Sequence, residues 1–189
     1  MTIPIGIIAE DNSDLDVIRE IINKLCRHKR YSVKKFLGYG CGKIISKSAS
    51  WAYNLHMQKC QALIVVHDLD DRRLDTLCKE LSDALSPCPI FDNIVVIPVR
   101  EIEAWLLTDS DAISRAMKLN LRLKKIANPE AIFHPKETLE DLVYFRSGKQ
   151  KHYINSIHNK LIAREAHLTH LRRCRSFIPL ESFLVSLFG

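Results

Sequence analysis

Residues 62–66 read Ala-Leu-Ile-Val-Val, an apolar run with no polar face, and the chain then turns acidic through His67, Asp68, Leu69, Asp70 and Asp71. A short β-branched run of this kind reads as a strand buried on both sides, which demands a layer above it and a layer below, the habit of parallel sheets. Such a strand delivers its polar residues where it surfaces, and open α/β sheets bind ligands at the carboxyl ends of their strands. Asp68 and Asp70 stand two apart, so an extended backbone points both side chains the same way. Two carboxylates converging on one spot repel unless a cation lies between them, and all-oxygen ligation suits Mg²⁺ or Mn²⁺. The plainer alternative is a solvated Asp-rich turn.

The flanking sequence supplies neighbours for this strand. Apolar runs at 3–9, 31–37 and 94–99 predict three more strands. Between them the period changes: Leu15, Ile18, Ile21, Ile22 and Leu25 share one helical face, with Ser13 or Asn12 as the expected N-cap and a basic close at 26–30. Helices are predicted over 44–57, with Ala52, Leu55 and Met57 facing inward, and over 72–85. The loop Gly38-Tyr39-Gly40-Cys41-Gly42-Lys43 is not a Walker A motif, because Leu37 stands where a glycine is needed and Ile44 replaces the Ser or Thr. It is either a turn into the next helix or a loop whose amides, with Lys43, touch a phosphate.

Beyond Thr108 the pattern is helical and basic, with helices expected over 111–117, 135–145, 153–164 and 176–188, separated by turns at Asn128-Pro129 and His134-Pro135. The chain is therefore expected to be α/β: a parallel sheet flanked by helices over residues 1–108, and a mostly helical C-terminal part over 109–189 packed on that core. A hydrophobic content of 47% argues against disorder. No apolar run approaches the roughly 20 residues that cross a bilayer, and Glu10 and Asp11 interrupt any N-terminal signal, so no membrane partner and a cytoplasmic location are expected. Six cysteines without a Cys-x-x-Cys pair argue against zinc and against a disulfide framework. The net charge of +6 is compatible with nucleic acid as a partner.

Acids recur where strands are expected to end. Glu10 follows the first strand, Asp68 and Asp70 the central one, and Glu101 and Glu103 the fourth. Parallel strands would bring all five to one edge, where their repulsion costs stability unless something offsets it; a divalent cation is the simplest offset. His67 is a further candidate ligand that an oxygen-rich site does not require.

A Glu after strand one with an Asp-x-Asp after a later strand resembles the signature of the Toprim fold, shared by topoisomerases, primases and nucleases of the overcoming-lysogenisation-defect (OLD) type. The chain is most similar to a family of small bacterial Toprim-like proteins of unknown function, often encoded in phage-defence or mobile-element neighbourhoods. That family shows Glu-Gly-x-Thr-Glu after strand one, here Glu10-Asp11-Asn12-Ser13-Asp14 with Asp11 in place of Gly. It also shows Glu-x-Glu-Ala-Trp-Leu-Leu, matched throughout by Glu101-Ile102-Glu103-Ala104-Trp105-Leu106-Leu107. Asn128-Pro129-Glu130, Pro135-Lys136-Glu137 and Ser176-Phe177 extend the resemblance over nearly the whole chain.

The resemblance implies a Mg²⁺- or Mn²⁺-dependent nuclease in phage defence or toxin function. In it Asp68 and Asp70 would hold one ion, with Glu10 sharing it or acting as general acid/base. Asp14 and Glu103, with Glu101, would complete a second position, as in two-metal phosphodiester displacement. Lys136 and Lys43 are candidates for the cation beside the scissile phosphate. Arg122, Lys124, Lys125, Arg146, Lys149, Lys151, Arg172, Arg173 and Arg175 would track the backbone of DNA or RNA, and Tyr144, Phe145 and Tyr153 either stack on unpaired bases or pack helices together. Trp105 is expected in the core. Two rival readings remain: a non-catalytic Toprim-like partner of an ATPase, and a receiver-like signalling domain, whose Met-Pro after the acceptor Asp is missing here.

Overall fold

The structure, a computed structural model, describes residues 2–26, 29–120 and 123–189, without the side chain of Cys41. Arg27, His28 and Arg122, read above as basic, lie outside the described residues. Four strands, β1 (Thr2–Ala9), β2 (Arg30–Leu37), β3 (Ala62–Val66) and β4 (Asp92–Val96), form one parallel sheet in the order β2-β1-β3-β4. All four carboxyl ends therefore share one edge, and β1 and β3 are the inner pair. β3 occupies the predicted residues and is buried throughout.

Alternation along the inner strands makes two cores. Ile5, Ile7 and Ala9 of β1, with Ala62, Ile64 and Val66 of β3, face helix α1 (Asn12–Leu25) and the C-terminal helices. Ile8, Leu63 and Val65 face α2 (Cys41–Met57) and α3 (Leu74–Leu85) on the other side. Gly6 lets α2 come close: a Cβ there would sit 2.8 Å from Leu55 Cδ1. Beyond β4 come the short α4 (Glu103–Leu106) and α5 (Ser110–Ala116). They are followed by α6 (Pro135–Arg146), α7 (Asn155–Glu165), α8 (Leu168–Leu171) and α9 (Ile178–Phe188). Leu139, Ile162, Phe177 and Leu184 from this part join the same apolar cluster as α1 and β1.

Several boundaries differ from the sequence expectation. The N-cap of α1 is Asp11, whose carboxylate accepts from the amides of Ser13 at 2.6 Å and Asp14 at 3.2 Å; neither Asn12 nor Ser13 serves. Its φ of −143° suits any residue, so this turn does not demand glycine. The glycine loop is a turn: Gly40, at φ +131°, leads directly into α2, three residues earlier than predicted. Met57, expected inside, is 58% exposed, while Trp105 is fully buried as expected. β4 stops at Val96, yet the chain keeps alongside its neighbour, because His67, Leu69 and Asp70 donate to the carbonyls of Val96, Pro98 and Arg100.

Three scattered sequence motifs meet around Trp105. Its indole N–H donates to Ser176 Oγ at 2.8 Å, and that hydroxyl donates to Glu130 Oε1 at 2.6 Å. Glu130 also accepts from the backbone amides of Arg175 and Ser176. Removing the Glu130 carboxylate leaves these donors without their acceptor, a loss of about 2 kcal/mol for hydrogen bonds to a charged group. Thermal unfolding of Glu130→Ala is expected to fall by about 4–8 °C, against less than about 2 °C for the exposed Glu140→Ala. Equal midpoints would show that the clasp contributes nothing.

Candidate metal centre

At the carboxyl edge of the sheet, Glu10, Asp14, Asp68, Glu101 and Glu103 line a cleft of about 100 Å³, with Lys136 at its margin. Each arrives by a different route. Glu10 follows β1 directly, Asp14 lies in the first turn of α1, and Asp68 follows β3 after His67. Glu101 lies in the loop after β4 and Glu103 opens α4. Glu101 Oε2 accepts from the Lys136 backbone amide at 2.8 Å, so this carboxylate caps α6 and aims that helix's N-terminus at the cleft. Asp11 does the same for α1.

Asp70 departs from the expected arrangement. It sits at φ +49°, a left-handed conformation that aspartate tolerates, because its amide turns to donate to Arg100 O at 2.8 Å. The turn at Asp70 ends the extended run that continues β3 through Leu69, yet the Asp70 charge still bears on Asp68 and Glu10. Asp68 faces the cleft, whereas Asp70 is exposed and does not line it. Arg100, itself at φ +64°, bonds the Asp70 carbonyl and Asp71 Oδ1 and stacks on Phe133 at 4.1 Å. These contacts hold the strained turn in place.

Crowding shapes the protonation of the site. Asp68 is pushed well above the ordinary carboxylate range by burial, then by the charges of Asp14, Glu103 and Glu10. Asp14 is raised by burial and by Asp11, Glu103 and Glu10. Burial also raises Glu10, with His67 opposing, and raises Glu101. His67 is fully buried; its Nδ1 lies 2.6 Å from the Asp68 carbonyl and 3.2 Å from Glu10 Oε1.

Asp68 Oδ1 is buried with no hydrogen-bond partner among the described residues, and the buried Glu10 Oε1 has His67 Nδ1 at 3.2 Å as its ion-pair contact. A buried carboxylate oxygen left unpaired is costly, and one set among other crowded acids is what a hard cation satisfies. The donors are all oxygens, which fits Mg²⁺ or Mn²⁺. Among the described residues no three His, Cys, Asp or Glu side chains stand as a ready coordination set. The acids line a common cleft without yet closing on one point.

The remaining candidates lie elsewhere. Lys43 is exposed, 6.0 Å from the Tyr39 ring, outside the cleft lining. Arg172 makes a two-pronged ion pair with Glu181, and Arg173 donates to the carbonyls of Thr108, Ile126 and Ala127; both residues remain exposed. Lys151 likewise donates to the carbonyls of Met117 and Lys118. Lys124, Lys125, Lys149 and Arg175 are exposed and Arg146 half-buried. Tyr144 packs against Phe145 and His152, and Phe145 is 62% exposed. Tyr153 is no stacking platform: it is buried, and its hydroxyl reaches Glu103. Asn159, which also reaches Glu103, was missed; its signal is a lone amide on the buried face that Ile162 and Ala163 define in α7.

A carboxyl whose pKa is raised by folding binds its proton first in the folded state, so stability falls as pH climbs from its ordinary value toward the raised one. In metal-free buffer at pH 7.5, Asp14→Asn and Asp68→Asn are each expected to stabilise by on the order of 1 kcal/mol, about 2–4 °C in Tm. The gain should shrink as pH is lowered and the wild type takes up its protons. Unchanged or lower midpoints at pH 7.5 would contradict the electrostatic reading.

A family model described as domain of unknown function (DUF4276) matches residues 9–184. Neither a curated protein nor a solved structure matches the chain. With the match spanning nearly all of the fold and every cleft carboxylate from Glu10 to Glu103, the chain belongs to the DUF4276 family.

Proposed function

We propose that this protein is a Toprim-like, Mg²⁺- or Mn²⁺-dependent nuclease of the OLD-related kind, cleaving phosphodiester bonds in DNA or RNA. A single observation carries the reading: carboxylates delivered by separate strands and helices meet in one small cleft at the carboxyl edge of a parallel sheet, with a buried Asp68 oxygen that no donor among the described residues satisfies. Glu10, Asp14, Asp68, Glu101 and Glu103 would hold the cation. When bound, it would supply charge for a phosphodiester displacement and for lowering the pKa of a bound water. The chain's own residues would do the rest. Glu10, raised by burial, is placed to hold or pass a proton, and Lys136 at the cleft margin offers charge toward a phosphate. Asp70, in the adjoining turn, does not line the cleft but adds its charge to that of Glu10 and Asp68. A cytoplasmic setting in phage defence or toxin function, beside an ATPase partner, forms part of the proposal and rests on the sequence resemblance. Among the described residues no helix is long and apolar enough to cross a membrane.

The test is cleavage of plasmid, single-stranded DNA and total RNA by purified protein with Mg²⁺ or Mn²⁺. Activity should require the metal and fall to background in Asp68→Asn and Asp14→Asn. Metal binding without cutting of any substrate would turn the reading toward a non-catalytic partner subunit. Cutting that survives Asp68→Asn would remove the cleft from the mechanism.

A further inference from the structure

Glu103 differs from the other cleft acids in being held by side chains from the C-terminal part, one on α7 and one in the loop before it. It is 3% exposed, and its Oε1 accepts from Asn159 Nδ2 at 3.0 Å and lies 3.1 Å from the Tyr153 hydroxyl. Asn159 is fully buried, and its amide nitrogen also donates to Ser13 Oγ at 3.2 Å, one residue from Asp14. The Tyr153 hydroxyl lies against Asn159 Oδ1 as well.

Counting hydrogens fixes the orientation of this group. An amide offers two N–H bonds, and here one is directed at Ser13 and the other at Glu103. Turning the amide over would set its oxygen against a carboxylate and its nitrogen against the tyrosine hydroxyl. Tyr153 has a single proton for two acceptors, Asn159 Oδ1 and Glu103 Oε1. Among the described residues, the hydrogen bonds of Glu103 all fall on Oε1. Oε2 is therefore the oxygen offered to the cleft, where Glu103 stands with Asp14 and Asp68.

We infer that Asn159 and Tyr153 are positioning residues for the candidate metal centre: they clamp Glu103 by one oxygen so that the other faces the cation, and Asn159 ties that clamp to α1 beside Asp14. This rests on the cleft being a divalent-cation site. Partners of this kind, behind the ligating atoms, set ligand orientation and commonly govern metal affinity 10- to 100-fold. The inference also gives residues 155–165 a part in the site although they contribute no carboxylate ligand to it. The surroundings favour a functional reading over a packing one. A buried amide facing Ile162 and Ala163 on its own helix face would be replaced by an apolar residue at little cost if filling space were its only task.

The experiment is calorimetric titration of Mn²⁺ into full-length wild type, Asn159→Ala, Tyr153→Phe, Glu103→Gln and the Asn159→Ala/Glu103→Gln double variant, well below each midpoint of thermal unfolding. Asn159→Ala should weaken Mn²⁺ binding about 10- to 100-fold, and Tyr153→Phe should weaken it less but in the same direction. In the Glu103→Gln background, Asn159→Ala should change the affinity little further, because the residue it acts through is already gone. A purely structural role would lower the unfolding midpoint and leave Mn²⁺ affinity alone. Tyr153→Phe is nearly isosteric and gives the reading if Asn159→Ala does not fold. Wild-type binding with unchanged affinity in Asn159→Ala and Tyr153→Phe overturns this inference alone. No Mn²⁺ binding by the wild type overturns the cation reading of the cleft and this inference with it.

Discussion

Repulsion among carboxylates crowded at one sheet edge is the constraint that the surrounding structure has to meet. Burial removes the water that would screen them, and the result is visible in the raised Asp14 and Asp68. The fold answers with oriented dipoles. α1, α4, α6 and α7 all begin at or beside the cleft, so their positive N-terminal ends face the acids. Asp11 and Glu101 are consumed partly as caps, which satisfies amides and holds two of those helices in place. One buried oxygen, Asp68 Oδ1, has no donor among the described residues, and it marks where compensation from the protein stops.

Such an arrangement trades stability for function in a way ordinary packing does not. The apolar layers above and below β1 and β3 fix the positions of the strand ends, so the acids cannot drift apart without disturbing either core. Strain gathers at the same edge: Asp70 and Arg100 both adopt left-handed backbone, locked by their mutual hydrogen bond and by the stacking of Arg100 on Phe133. A turn so constrained keeps Asp68 in the cleft, with the exposed Asp70 close enough for its charge to bear on Asp68 and Glu10.

Much of this was legible in the residues. The run at 62–66 announced a doubly covered strand because only a parallel sheet hides both of its sides, and Glu10, Asp68, Glu101 and Glu103 could be placed at one edge by topology alone. What failed was local. The two-residue spacing of Asp68 and Asp70 suggested an extended backbone through both, but a hydrogen bond to Arg100, distant in sequence, sets Asp70 in a left-handed turn. The basic residues of the C-terminal part looked like a phosphate track; several instead reach carbonyls and carboxylates that only the tertiary fold brings near, as Arg172 and Arg173 do. Asn159 escaped notice because one amide in an amphipathic helix carries no periodic signal.

The single apolar cluster that runs from β1 and α1 into α6, α7 and α9 bears on how this chain can be divided. A break after Thr108 falls between elements and leaves every cleft carboxylate on the first piece, which makes it the natural place to cut. Yet on that first piece α1 alone would cover the face of Ile5, Ile7, Ile64 and Val66, leaving the rest of the shared cluster open, and the second would carry the matching apolar faces without a sheet. The two fragments are therefore suited to complementation rather than to separate life: each hides what the other exposes, and joining them rebuilds the core and the Glu103 clamp in one event.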